Sequence, residues 1–431
     1  MSIPLDRLYN YLQDCVNRDT LIYRWCPHGS KKLSDLQINE NLHFHDRKFL
    51  TSVAIICHDQ EPLDYDFYQI DDLVTMPSLI SGIESKNFVD VCYNDIIGWA
   101  CGAAISLYDK TIITHSELNS KEVIKYQNNG YVPVFFWSHG IIARDWFRYA
   151  EHDQRIQHSD SPKYDFLIYN RAWSGTREYR LKFIELLISS ELASHCLTSF
   201  CPNDCDTHYK DHVFKNQNFS IDRYDFENIL PLNVHSSTAS GDYVSNDYCE
   251  SGIEVVLETL FDDERIYLTE KVLRPIACGK PFILVSTPGS LKFLKKYGFR
   301  TFEGLIDESY DNIKDPSQRL QAIISEMQRI AKLPQDEKSQ LITKLNNIAE
   351  ENKKLFFSEN FHNTVMDEFN TNYQPAYAEA KASLNGTNYK KLYTVVCERI
   401  PDRVNEIYPP INGVSDMEWI DQWIATARSE Q

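Results

Sequence analysis

The residues of this chain best equipped for chemistry lie in one run, Arg265-Ile266-Tyr267-Leu268-Thr269-Glu270-Lys271-Val272-Leu273-Arg274-Pro275, which continues through Gly279-Lys280-Pro281 into Phe282–Val285. The pattern predicts a loop or short strand, a helix opened by Thr269, a glycine turn and a buried strand. The first N–H groups of a helix have no partner inside it, and the helix start carries partial positive charge, so it attracts phosphate. A carboxylate there, Glu270, can accept hydrogen bonds from a ribose diol, and Lys271 can offset a pyrophosphate. Those are the requirements of a nucleotide-sugar donor site, which makes glycosyl transfer the expected reaction.

A plainer reading covers the same residues. Thr269 serves as a simple N-cap, although Val272 stands where a reciprocal capping box needs Glu or Gln. Glu270 and Arg274 are spaced i,i+4 and would form an ordinary surface pair of about 0.3–0.5 kcal/mol. Pro275 fits less easily, since a proline inside a helix costs about 3 kcal/mol through a lost bond and a kink.

Transfer to a hydroxyl also needs a general base and stabilisation of the departing diphosphate. Candidates for the base are Asp59 and Glu61 in His58-Asp59-Gln60-Glu61-Pro62, which follows an apolar strand; the alternative is a surface turn closed by proline. His115 and Glu117, after a second strand, and His139 with Arg144, after a third, are candidate acceptor contacts. A structural role for His115, and a helix start for Arg144-Asp145, remain open. Arg171 and Arg177 flank Trp173-Ser174-Gly175-Thr176 and are candidate diphosphate contacts, because guanidinium matches phosphate geometry and glycine admits close approach. Thr287-Pro288-Gly289-Ser290 is a further anion-binding candidate.

Metal is not expected. Asp64-Tyr65-Asp66 and Asp204-Cys205-Asp206 match Asp-x-Asp, which arises easily in so acidic a chain. His195, Cys196, Cys201, Cys205 and His208 are dense, but their spacing matches no familiar zinc pattern.

The ordered set Tyr267-Leu268-Thr269-Glu270-Lys271, Ala277 and Gly279-Lys280-Pro281 resembles the signature of the α1,3-fucosyltransferase family. That resemblance implies a GT-B fold, two Rossmann-like domains facing a cleft, with a UDP- or GDP-sugar donor and no metal. It also implies that Glu270 binds the donor ribose and Lys271 the phosphates, with Tyr267 and Thr269 in the same motif. A longer resemblance is to glycosyltransferases of large tailed phages and marine viruses. It is carried by Asp59-Gln60-Glu61-Pro62-Leu63, His115-Ser116-Glu117, Trp137-Ser138-His139, Ala143-Arg144-Asp145-Trp146, Tyr169-Asn170-Arg171-Ala172-Trp173, the Thr269-Glu270-Lys271 helix, and Gly298-Phe299-Arg300-Thr301-Phe302 with Asp307-Glu308-Ser309-Tyr310-Asp311. Some of that group resemble enzymes that decorate hydroxymethylated cytosine. This implies double-stranded phage DNA as acceptor and the host cytoplasm as location; a glycan acceptor and a non-catalytic sugar- or nucleotide-binding module are the alternatives.

The bulk numbers frame these expectations. With 431 residues, 42% hydrophobic and 25% charged, the chain supports two globular domains. Its net charge of -18 argues against a general nucleic-acid coat or an anionic-membrane binder, while leaving room for a local basic cleft. Eleven cysteines and an opening Met1-Ser2-Ile3-Pro4-Leu5-Asp6-Arg7 without an apolar core suggest reduced thiols in a cytoplasm. The apolar stretch from Val91 to Tyr108 is interrupted by Asn94 and Asp95 and is too short to span a bilayer, so no membrane partner is expected.

The positioning elements follow from hydrophobic periodicity. An amphipathic helix (Leu5, Leu8, Leu12, Val16) precedes strands at Phe49–Cys57, Thr111–Thr114 and Tyr131–Trp137. A polar, turn-rich stretch near 152–162 suggests a boundary. Three parts are expected: an acceptor-binding domain over 1–160, a nucleotide-sugar-binding domain over 161–330, and a helical segment over 331–431 packing across both. Strands are expected at Phe166–Tyr169, Gly252–Thr259 and Pro281–Val285, with a helix over Glu178–Ala193. Leu320, Ile323, Ile324, Met327 and Ile330 mark a later helix, broken by Pro334; Trp419 and Trp423 suggest a folded C-terminal end. Strands alternating with helices predict parallel α/β sheets, which bind ligands beyond the carboxyl ends of their strands. The polar clusters after Cys57, Thr114 and Trp137 all fall there.

Overall fold

The computed structural model describes residues 6–17, 20–24, 35–37, 53–58, 61–66, 110–222, 226 and 241–383. The chain is a mixed α/β protein that divides into two compact units. Met1–His115, Lys121–Phe136 and Asp367–Gln431 make the first, and Ser116–Ser120 with Trp137–Met366 the second. The boundary suggested near 152–162 falls inside the second unit, because the helix Ser138–Trp146 packs against the helix that begins at Glu270. Asp59, the stretch from Val91 to Tyr108, Trp419 and Trp423 lie outside the described residues.

The first unit contains α1 (Asp6–Cys15), β1 (Thr20–Arg24), β2 (Asp35–Gln37), β3 (Val53–Cys57), β4 (Thr111–His115), α2 (Lys121–Asn128) and β5 (Tyr131–Phe135). The sheet order is β2-β1-β3-β4-β5, parallel except for β2, which pairs antiparallel with β1. All five residues of β4 are buried, as expected of a central parallel strand covered on both faces. β5 alternates half-buried and buried residues, and as an edge strand it tolerates Pro133. The sequence pattern predicts neither β1 nor β2; both lie in the polar, mixed N-terminal stretch.

The second unit contains α3 (Ser138–Trp146), β6 (Tyr164–Asn170), α4 (Tyr179–Ser189), β7 (Cys196–Phe200) and a short hairpin, β8 (Asn203–Asp204) with β9 (Thr207–His208). α5 (Ser245–Glu250), β10 (Ser251–Leu257), α6 (Glu270–Ala277), β11 (Phe282–Val285), α7 (Ser290–Lys296), α8 (Pro316–Ala331) and α9 (Gln335–Phe357) follow. A final helix, α10 (Glu359–Ser383), begins in this unit and ends in the first. The four-stranded sheet is parallel, in the order β11-β10-β6-β7, so the direction of winding reverses between β6 and β10. The strand β7 is not predicted either; its Cys-Leu-Thr-Ser-Phe sequence lacks a β-branched apolar run.

Local sequence explains most of these elements. The stripe Leu320, Ile323, Ile324, Met327 and Ile330 is buried along α8, which opens with Asp315 accepting from the Gln318 N–H and Pro316 in its first turn. Pro334 separates α8 from α9. α6 ends two residues after Pro275, so the missing proline N–H forfeits only one bond of a short helix. Gly279 then turns the chain at φ +66°, where an added Cβ would lie 2.6 Å from Glu350 Oε1. Gly279→Ala should therefore destabilise the protein by about 1–2 kcal/mol in urea unfolding. An unchanged midpoint would show that the turn relaxes freely.

Candidate functional site

The motif residues gather at the carboxyl ends of β6 and β10, the point where the sheet order of the second unit reverses. β10 runs directly into Glu258, whose main chain is held on every side. Its N–H donates to Val285 O at 3.1 Å, and its carbonyl accepts from Tyr179 Oη at 2.6 Å and from Arg180 Nη2 at 2.9 Å. The carboxylate is fully buried and accepts from the Thr269 N–H (3.1 Å), the Thr269 hydroxyl (2.8 Å) and the Thr259 N–H (3.2 Å). Thr269 in turn caps α6, accepting from the Lys271 N–H at 3.3 Å.

Lys271 Nζ lies 3.0 Å from Glu270 Oε1, 3.2 Å from Thr269 Oγ1 and 3.3 Å from Thr259 Oγ1. Glu270 contacts this ammonium directly, Glu258 is linked to it through the two threonines, and the environments of the two carboxyls separate them. Burial pushes the Glu258 carboxyl above its ordinary value against the pull of Lys271, and the Glu270 charge adds to the rise. Burial would raise Glu270 as well, but Lys271 and then His139 hold it below the usual carboxylate range. Glu270 is therefore ionised at neutral pH.

Two other segments brace this helix start. His139, at the beginning of α3, sets Nδ1 3.5 Å from Glu270 Oε2 and Nε2 3.0 Å from the Tyr267 hydroxyl. Trp137 donates its indole N–H to Leu268 O at 2.9 Å, which fixes the chain just before Thr269. Residues Ser116–Ser120 form an antiparallel bridge from Leu118 to Ile266, and Glu117 lies 3.3 Å from Arg265. His139, Glu117, Tyr267, Thr269, Glu270 and Lys271 are thus brought together in one unit. The sequence suggests His139 and Glu117 as acceptor contacts; in the structure His139 lies against Tyr267 and Glu270, and Glu117 against Arg265.

The arginines divide by role. Arg274 does not pair with Glu270. It is buried, donates to Glu254 Oε1 of β10 at 2.6 Å and lies over the Tyr169 ring. Arg180, unremarked in the sequence, is buried and ties Ala172 O to Leu257 O and Glu258 O, joining the ends of β6 and β10. Arg171 is exposed and Arg177 half-buried, both on the loop after β6 at the same end of the sheet. Arg144 donates to Phe357 O (3.1 Å) and Ser358 O (2.9 Å), carbonyls at the end of α9, and so serves that helix terminus.

In the first unit, His58 and His115 close β3 and β4. Both are buried, and burial lowers the His58 imidazole to about 3, so it is neutral at physiological pH. Glu61 is half-buried just beyond, and Asp59 lies outside the described residues.

No group of three or more metal-binding side chains occurs among the described residues. The Cys/His cluster is dispersed: His195 Nδ1 pairs with Asp165 at 2.7 Å, while Cys196 is buried in β7. A cavity of about 350 Å³ lies by the loop after β6, lined in part by Ser174, Gly175, Asp204 and Lys215. Its Asp204 carboxylate already accepts from the N–H groups of Trp173 and Ser174. No helix among the described residues is long and apolar enough to cross a membrane.

Glu258 and Arg180 are the residues that sequence reading passes over. Glu258 carries a usable signal, as the first charged residue after an apolar strand run, the same rule that selects Asp59 and Glu61. Compared with protein-family models, curated proteins and solved structures, the chain matches none significantly.

Proposed function

We propose that the second unit binds a nucleotide sugar at the carboxyl ends of β6 and β10, and that the chain is a glycosyltransferase of the GT-B type. The observation that carries this reading is the placement of Glu270 and Lys271 at a helix start beside the reversal point of a parallel sheet. Lys271 faces the diphosphate, and a ribose diol at Glu270 replaces one of the partners that carboxylate now holds. Arg171 and Arg177 add positive charge at the same sheet end. In the reaction the acceptor hydroxyl loses its proton to a carboxylate, Asp59 or Glu61, its oxygen bonds the anomeric carbon, and the nucleoside diphosphate leaves with the electron pair of the broken bond. No metal is required, because cationic side chains and a helix start stabilise the leaving group.

The proposed acceptor is 5-hydroxymethylcytosine in double-stranded DNA, on the strength of the sequence resemblance. A glycan acceptor is favoured instead by the net charge of -18. The test is a panel of UDP- and GDP-sugars offered with hydroxymethylated DNA and with glycans, comparing wild type with Glu270→Ala and Glu61→Ala. Transfer by wild type alone supports the assignment. Donor binding without transfer would indicate a non-catalytic binding module, and a wild type that neither binds nor turns over any donor ends the transferase reading.

A further inference from the structure

Glu258 never reaches solvent, yet its carboxylate hydrogen bonds lead toward the part-exposed ammonium of Lys271. Thr269 has a single hydroxyl hydrogen, and donating it to Glu258 Oε2 leaves the oxygen lone pairs for Lys271. Those lone pairs accept from both the Lys271 N–H and its Nζ. The second anchor for Nζ, Thr259 Oγ1, belongs to the residue whose N–H also donates to Glu258. One buried carboxylate therefore organises both threonines that hold the ammonium. Its own position is set by Tyr179, Arg180 and Val285 acting on its main chain, so the arrangement is rigid before any ligand arrives.

We propose that Glu258 is a positioning residue, which orients the Thr269 hydroxyl and holds the Lys271 ammonium where a ligand's diphosphate is bound. The diphosphate clause rests on the donor-site reading above; the positioning of Lys271 does not. Glutamine in place of Glu258 cannot reproduce it. The amide has one acceptor oxygen in place of two, and its NH2 group would face a threonine donor. Thr269→Val removes the same link from the other side while leaving Glu258 in place.

The first measurement needs no ligand. Trace acylation by an amine-directed reagent, read by peptide mass spectrometry and normalised to exposed Lys292, should show a several-fold change in Lys271 reactivity in both Glu258→Gln and Thr269→Val. Unchanged Lys271 reactivity in Thr269→Val, with the fold retained by circular dichroism, overturns the proposal even if Glu258→Gln unfolds. The second measurement is calorimetric binding of UDP and GDP. Each single variant should weaken binding about tenfold, as expected for a lost hydrogen bond to a charged group. Glu258→Gln should add little further loss in a Lys271→Met background, since both act through one amine. Full additivity would mean that Glu258 merely supports the fold, and overturns the proposal. A wild type that binds neither nucleotide ends the donor reading, and the acylation result then decides the role of Glu258 alone.

Discussion

Lys271→Met should reduce binding of a nucleoside diphosphate by about tenfold to a hundredfold, while leaving the protein folded. A hydrogen bond to a charged group contributes about 1.5–3 kcal/mol, and methionine keeps the length of the stem without the ammonium. The thermal midpoint should fall, because the buried Glu270 carboxylate loses its nearest countercharge, while the fold persists because the Lys271 side chain is only part-buried. Lys271→Arg should retain part of the affinity, and raising the salt concentration should weaken the wild type more than the methionine variant. The measurement is calorimetric titration with UDP and GDP at fixed ionic strength. Equal affinity in wild type and Lys271→Met would remove Lys271 from the site.

Arg274→Met should be the most destabilising single change in the second unit, by about 3–5 kcal/mol, because it strands the Glu254 carboxylate in the interior. Arg274 is buried in the middle of α6, against Tyr169, and Glu254 is 2% exposed in a strand that is wholly buried. Tyr248 Oη donates to Glu254 Oε2 at 2.5 Å but brings no countercharge. Burial opposes the guanidinium charge, and Glu254 more than restores it, so Arg274 is held well above the ordinary arginine value. Removing both charges in Arg274→Met, Glu254→Leu should recover much of the loss. Urea unfolding of the three proteins settles it: a single variant as stable as wild type would show that the pair is solvated in solution.

These two residues lie three positions apart on one helix, and spacing along the helix did not reveal the partner of either. Spacing suggests that Glu270 and Arg274 pair along the helix surface; instead Arg274 turns to β10 and Glu270 to Lys271 and His139. Both choices depend on segments brought together by folding. Thr269 as a cap, the glycine turn at Gly279 and the stripe of α8 were legible, because each depends on contacts within one turn of chain. The parallel strands β3, β4, β6, β10 and β11 were legible as apolar runs between turn signals. β1, β2 and β7 were not, since short strands with polar residues show no period of their own.

By itself the sequence determined the alternation of strands and helices, the helix start that presents Thr269, Glu270 and Lys271, and an acidic chain of parallel α/β type. Those properties are written in residue type and spacing over a few turns, where steric preference and hydrophobic period act. Only the tertiary structure decided that Glu258, not a flanking residue, orders that helix start, and that His139 and the Ser116–Ser120 segment stand beside it. Pairing between segments that are separate in sequence, from eleven residues apart to more than a hundred, is settled by which buried polar groups can satisfy one another, and no local pattern records that choice.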